Sequence, residues 1–440
     1  MPCSTYREIE SESGVEESGI AEAEHAFPAS ATTKHYYFPM PSAPKLSDLP
    51  KVKISPRGVT RLKSGHVWVY RSDIVSAEDV QPGSVVTVAD QRGKPLGAAL
   101  YSSSSQIAIR MISRETTSPA PVTDFPALLR QRIAAAIAYR AQVVRDADAY
   151  RVVFSEADFL PGLIIDRYND IVSLQILTQA MDEKLVRETV ISELTHRMNP
   201  ASIIERVDPR VRELEKLPPR SSDLLHGDET STIFIMNGVR FHYDALEGQK
   251  TGAFLDQREN YAAAAQYARG EALDVFCYQG GFALHFAARC SHVTGVDSSR
   301  PALEIADENA ALNHREIEWI EANAFDLLKD YAAAGHHYDV IVLDPPAFAK
   351  TKRDLDSAMR GYKELNLRAL KMLRPGGILV TCSCSYHVSQ SVFLEMLADA
   401  ARDGHRTLRL IEVRGQARDH PILLNVPETA YLKCVIASVS

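Results

Sequence analysis

Apolar and polar positions alternate in three different ways along the 440 residues, and the changes divide the chain. Between Lys51 and Arg114, short apolar runs at Val52–Ile54, Ser84–Ala89, Leu96–Tyr101 and Gln106–Ile112 are separated by turns such as Asp90-Gln91-Arg92-Gly93-Lys94. Short strands broken by Gly-containing turns predict a small β-barrel. Next, Phe125–Asp146 repeats its apolar residues at a spacing near 3.6, which predicts a helix. Strands are expected at Arg151–Glu156, Gly162–Tyr168 and Ile171–Leu177, with a hairpin turn at Arg167–Asp170. An amphipathic helix at Glu183–Met198 and a strand at Ser202–Arg206 complete an α+β block. The run Val211–Pro219, charged and then Pro-rich, reads as a loop.

A third pattern follows. Asn237-Gly238 between two apolar runs predicts a hairpin over Phe234–Tyr243, and Glu247–Asn260 leads into a helix ending near Gly270. An apolar strand from Leu273 then stops at Gln279-Gly280-Gly281; Phe282–Arg289 reads as helix and Val293–Val296 as a strand ending on Asp297. The alternation continues with a helix at Arg300–Asn313, strands at Glu318–Glu321 and Val340–Leu343, a helix at Ala358–Leu373 and a strand at Gly377–Thr381. Strands separated by helices at this spacing mean a parallel sheet in an α/β domain. The expected division is a disordered acidic extension at 1–48, a β-rich module at 49–117, a central α+β domain at 118–235 and an α/β domain at 236–440. A Thr-, Ser- and Pro-rich linker is expected over 115–125, and His35–Phe38 is the one sticky patch of the extension.

Composition is that of a globular protein, 45% hydrophobic and 24% charged. No apolar stretch reaches membrane-spanning length and no signal peptide is evident, so the cytoplasm is the expected compartment. The six cysteines are too scattered for a disulfide framework and form no paired CxxC zinc pattern, so free thiols and no metal are expected. Net charge is −8 but uneven: residues 1–50 carry eight acids against three bases, and residues 51–115 ten bases against five acids. A basic module inside an acidic chain is a candidate phosphate-contacting surface. Within it, Arg61–Tyr70 (RLKSGHVWVY) mixes bases with aromatics, which suits RNA; Arg61 and Lys63 are the candidate contacts, while Trp68 is read as a core residue.

Candidate chemistry lies at the ends of the predicted parallel strands. Asp274 lies near the first, Asp297 at the second, Asn323 just past the third and Asp344 at the fourth. In a doubly wound sheet these positions border the ligand crevice. The Gly280-Gly281 turn lacks the GxGxxG pattern that cradles a pyrophosphate, so the site looks built for a nucleoside without a phosphate chain. S-Adenosylmethionine fits: Asp297 would take the ribose, Asn323 the adenine amine, and the glycine turn the methionine portion. Asp326 reads as a helix N-cap. Asp344-Pro345-Pro346-Ala347-Phe348 stiffens a loop beside the methyl donor and aims carbonyls and a carboxylate at a planar, amine-bearing ring, with Phe348 available to stack. Thr381-Cys382-Ser383-Cys384-Ser385 ends the next strand, and a cysteine there supplies the nucleophile that pyrimidine carbon 5 methylation needs at carbon 6.

From about Lys51 onward the chain resembles the ribosomal RNA large subunit methyltransferase I family, through KTGAFLDQREN, FCYQGGFALHFA, VDSSRPALEIADENAALN, VLDPPAFAK, RGYKELNLRAL, GGILVTCSCS and DHPILLNVPETAYLK. The resemblance implies a PUA domain, a central α+β domain and a Rossmann-like class I methyltransferase domain. It also implies 5-methylcytosine formation in 23S ribosomal RNA, with Cys384 as nucleophile and Asp344 beside the target base. Gln257 and Arg258 are placed in the donor pocket with Asp274, Phe276, Tyr278, Gly280, Asp297, Ser298, Asn323 and Asp344. Pro345, Pro346 and Phe348 face the substrate. The expected partner is large-subunit ribosomal RNA, without membrane or metal; a homodimer is left open. The chain departs from the family in having Ala347 where a lysine is usual and Asn323 where an acid is usual, and in its acidic extension. Two rival readings are methylation of a base amine by the Asp344-Pro345-Pro346 loop, with Cys384 structural, and a non-catalytic RNA-binding assembly factor.

Overall fold

A computed structural model describes residues 48–114, 124–246, 253–349 and 351–440. The acidic extension with His35–Phe38, most of the linker and the Glu247–Gly252 stretch lie outside the described residues.

The basic module forms a six-stranded sheet ordered Trp68–Tyr70, Ile107–Ser113, Pro95–Tyr101, Val85–Ala89, Lys51–Ile54, Ile74–Ser76. Its core is Val52, Ile54, Val69, Val86, Val88 and Ile109. The helix Pro56–Lys63, not anticipated, is specified by Ser55, whose side chain accepts from Gly58 N, and by Pro56 in the first turn. It carries Arg61 and Lys63 in its last turn.

The central block is a five-stranded sheet, Asp223–His226, Ser202–Glu205, Ile171–Ile176, Leu163–Tyr168, Ala149–Phe154. Helices Phe125–Val143 and Lys184–Met198 contribute Leu129, Ile133, Val190 and Leu194 to its core. The expected loop over Val211–Pro219 holds only past Glu215: Pro209–Glu215 is a helix, because Asp208 caps Arg210 N and Val211 N and Pro209 occupies the first turn. Polar bonds join the basic module to the central block. Trp68 Nε1 donates to Glu156 Oε1 at 3.0 Å, and Ser102 Oγ to Glu215 Oε2 at 2.7 Å.

The hairpin Ser231–Met236/Val239–Asp244 turns at Asn237 and Gly238, both at positive φ. The third sheet has seven strands: β1 (Gly270–Val275), β2 (Cys290–Asp297), β3 (Glu318–Glu321), β4 (Tyr338–Leu343), β5 (Leu373–Ser383), β6 (Leu408–Arg414) and β7 (Lys433–Val439). Their order is β3-β2-β1-β4-β5-β7-β6. β1 to β5 run parallel, as the alternation predicts, whereas β7 pairs antiparallel with both β5 and β6. Strand order reverses at β1/β4, so the crevice outside their carboxyl ends is the ligand position of such a sheet.

Candidate active site

The chain leaves β1 in a strained path. Phe276 and Tyr278 both have left-handed backbone, with φ of 67° and 51°, a conformation that costs a non-glycine residue about 1–3 kcal/mol and persists where surroundings enforce it. Here the enforcing contacts come from β2: Phe276 N and Cys277 N both donate to Val296 O at 2.8 and 3.0 Å, and Tyr278 N to Asp297 Oδ2 at 3.0 Å. Gly280 continues at φ 86°, and Gly281 admits the Tyr261 ring, which a Cβ there would meet at 2.4 Å. The turn is therefore folded tightly over the end of β1.

Three carboxylates converge on this turn. Asp297 is fixed through both oxygens, by Tyr278 N and by Ser299 N at 2.9 Å, and remains half-buried; Ser298 beside it is exposed. Asp274 is fully buried; its Oδ2 accepts from Ala283 N at 2.9 Å and its Oδ1 has no hydrogen-bond partner among the described residues. Burial, reinforced by Asp344 and Asp297, pushes its carboxyl up to about 8. Asp344 follows β4, accepts from Gln257 Nε2 at 3.0 Å and is pushed up to about 7 by burial and by Asp256. The cleft between them is walled by Phe254, Tyr261, Phe276, Tyr278 and Phe282, with Asp344 at its edge and no Lys or Arg among its described lining residues.

Cys384 lies across from Asp344, beyond β5. Its neighbours on both sides are tied to one phenol: Ser383 Oγ donates to Tyr362 Oη at 3.0 Å, and Tyr362 Oη is 3.0 Å from Ser385 Oγ, which also accepts from Ala349 N. The thiol between them is half-buried and 3.9 Å from the Pro345 carbonyl oxygen. Burial and the Asp344 charge raise it to about 11. Lys433 opposes that rise. It is buried, donates to Ser385 O at 2.6 Å and Tyr431 O at 2.8 Å, and is pulled down to about 8 by burial. Cys382, by contrast, is wholly inaccessible and faces Cys434 across the β5/β7 pair. The five described cysteines are unpaired thiols.

Several predicted site residues stand elsewhere or are already engaged. Arg258 does not face the cleft. It is fully buried, with Nη2 on Asp419 Oδ1 at 2.9 Å and Nη1 on Arg145 O, so its charge is spent holding the C-terminal segment to the central block. The N-cap is Asn323, not Asp326: Asn323 Oδ1 accepts from Phe325 N at 2.9 Å and Asp326 N at 3.4 Å. Phe348 packs on Tyr362 and Phe325, Pro345 is buried and Pro346 exposed. Arg61 pairs with Asp73 at 3.0 Å and covers the Tyr70 ring, whereas Lys63 is exposed. Trp68, expected in the core, is half-buried at the seam with the central block. The sequence reading missed Tyr362 and Lys433. A lysine opening the buried apolar strand KCVIASV was the available signal for the second.

Residues 52–114 match the PUA-like domain and residues 166–436 the S-adenosylmethionine-dependent methyltransferase. A ribosomal RNA large subunit methyltransferase I from Shewanella denitrificans is 38% identical over 400 residues, covering 88% of this chain and 99% of the relative. This chain belongs to the ribosomal RNA large subunit methyltransferase I family. The relative of that name from Photobacterium profundum is 38% identical over 383 residues, covering 84% of this chain and 95% of its own. The fold of this family member is also that of a solved structure from Streptococcus mutans, titled a putative S-adenosylmethionine-dependent methyltransferase. The TM-score is 0.73 at 19% identity, over 88% of this chain and 99% of that one. The methyltransferase uses S-adenosylmethionine, and its cleft suits a cationic nucleoside: among the described residues its lining combines aromatic walls with the Asp344 carboxylate and no cation, and Asp274, at the end of β1, has an unpartnered buried oxygen. Among the described residues, no helix is long and apolar enough to cross a membrane.

Proposed function

We propose that this methyltransferase forms 5-methylcytosine in 23S ribosomal RNA, with Cys384 as the nucleophile. The names of its relatives and the PUA-like module support RNA of the large subunit as substrate. The observation that carries the base assignment is the placement of Cys384: a partly accessible thiol, clamped by Ser383, Ser385 and Tyr362, opposite the Asp344 loop.

Carbon 5 of cytosine is a poor nucleophile until an adduct forms at carbon 6. Cys384, as thiolate, forms a bond to carbon 6, and the displaced ring electrons move toward N3. Asp344 holds a proton near neutrality because it is buried, so it can donate to N3 and neutralise that charge. S-Adenosylmethionine, when bound, supplies the electrophilic methyl group that carbon 5 accepts. Loss of the carbon 5 proton to solvent, departure of the thiolate from carbon 6 and return of the N3 proton to Asp344 then restore the ring. Asp274, Asp297, Gln257, Phe276, Tyr278 and Gly280 would hold or shape the donor side, and Pro345, Pro346 and Phe348 the base side.

The test is methyl transfer from labelled S-adenosylmethionine to ribosomal RNA, read by nucleoside mass spectrometry, for wild type and Cys384→Ser. The expected result is 5-methylcytosine from wild type and none from the variant. A product methylated on a base nitrogen, or a variant that still methylates, would overturn the cysteine mechanism in favour of amine methylation at the Asp344 loop.

A further inference from the structure

Helices Ala324–Ala334 and Leu355–Met372 pack side by side on the outside of the catalytic sheet and leave a groove of about 570 Å³ between them. Lys329, Arg360, Lys363, Arg368 and Lys371 line it against a single carboxylate, Glu364, over a floor that includes Ala332 and Leu367. Two of the cations are engaged, Lys363 with Asp403 at 2.7 Å and Arg368 with Glu364 at 2.6 Å. Lys329, Arg360 and Lys371 are exposed and have no side-chain ion pair or hydrogen bond among the described residues. In a chain of net charge −8, three unpaired cations gathered on one groove form a local field of opposite sign.

The groove also has a direction. Arg360, Lys363, Leu367 and Lys371 recur every three or four residues, so they share one helix face. From Arg360 to Lys371 the helix rises about 16 Å, enough for several successive phosphates. At its upper end, Gly361 abuts the loop that carries Asp344: a Cβ there would lie 3.3 Å from the Phe348 ring. The Arg360 end of the groove is thus the end next to the loop that carries Asp344.

We propose that this groove binds the phosphodiester backbone of the RNA flanking the target nucleotide. Point charges without an aromatic platform favour phosphates over bases, so the contact positions the strand without reading its sequence. The inference rests on RNA being the substrate but not on which base atom receives the methyl group.

The test is the triple variant Lys329→Gln/Arg360→Gln/Lys371→Gln, with binding to protein-free 23S RNA fragments measured across a salt series. The expected result is weaker binding at every sequence tested and a slope of log affinity against log salt that is shallower by about 2 to 3. Affinity for S-adenosylmethionine and the melting temperature, measured without RNA, report that the fold is intact. An unchanged slope would overturn the proposal. So would binding lost only on assembled subunits, which would assign the groove to a ribosomal protein. A nitrogen-methylated product would sink the 5-methylcytosine reading while leaving the salt slope to judge the groove.

Discussion

Gln257 Nε2 donates to Asp344 Oδ2 across 3.0 Å, and the same carboxamide is oriented through its oxygen by Asn260 Nδ2 at 2.7 Å. The bond favours the ionised form of Asp344 and so opposes the burial that raises it to about 7. If Asp344 acts protonated while Cys384 acts as thiolate, kcat/KM rises about tenfold per pH unit and levels once Asp344 ionises, because each gain in thiolate is then offset by loss of the acid. The wild-type break is expected near pH 7. In Gln257→Leu it should move upward by about one unit, the worth of a hydrogen bond to a charged group. A break that stays in place would remove Asp344 from the role of acid.

Asp274 makes a stability prediction of defined sign. Its folded value of about 8 lies above the unfolded carboxyl at ~3.9, so over that interval the folded state binds more protons. Its contribution is fully present below about pH 4 and is lost as pH rises toward 8. Asp274→Asn keeps an acceptor for Ala283 N and cannot ionise. Without cofactor, the variant should resist urea better than wild type at pH 8, with the advantage vanishing toward pH 4. Its affinity for S-adenosylmethionine should fall, since Asp274 would hold or shape the donor side on the reading above. Parallel urea curves with equal midpoints at pH 8 would contradict the argument.

The Arg258–Asp419 pair should behave as structure rather than as donor site. Asp419→Ala leaves the buried Arg258 guanidinium with only the longer contact to Glu259, at 3.5 Å, and also frees Arg151 N, which donates to Asp419 Oδ2 at 2.8 Å. A loss of about 3–5 kcal/mol is expected. Arg258→Met combined with Asp419→Leu should recover part of it, because the double change leaves no lone charge. Denaturant unfolding measures the loss, and calorimetric titration of the folded single variant should show a far smaller effect on cofactor affinity.

Lys433, pulled down to about 8, is largely neutral where the Cys384 thiol titrates, near 11. Lys433→Arg, which stays charged, should therefore shift the midpoint of Cys384 alkylation to lower pH, whereas Lys433→Met should change it little. An unchanged midpoint in Lys433→Arg would contradict the argument. The readout is iodoacetamide labelling of Cys384, followed by peptide mass spectrometry across pH.

The parallel strands and the carboxylates at their ends were legible because both are local: a strand's apolar run and the polar residue that ends it are neighbours in sequence. What escaped depended on distant partners. β7 is an apolar run like the others, but only its pairing with β5 makes it antiparallel and brings Lys433 to Cys384. Arg258 looked like a site residue from its stretch, and its partner is 161 positions away. Asn323 is an acceptor, as expected, but the helix it starts claims that oxygen first. The missed helix at Pro209–Glu215 is a different failure, since Asp208-Pro209 announces it locally.

The seam at Trp68 and Glu156, together with Ser102 on Glu215 and His66 on Glu428 at 3.2 Å, ties the PUA-like sheet to both other parts of the molecule. If the PUA-like sheet grips the RNA, such a body would work as a caliper: with its jaws set, the nucleotide it reaches would be selected by distance from the place where the RNA is gripped. Loosening the seam would then scatter the methyl mark over neighbouring positions, an error of address while the chemistry stays intact.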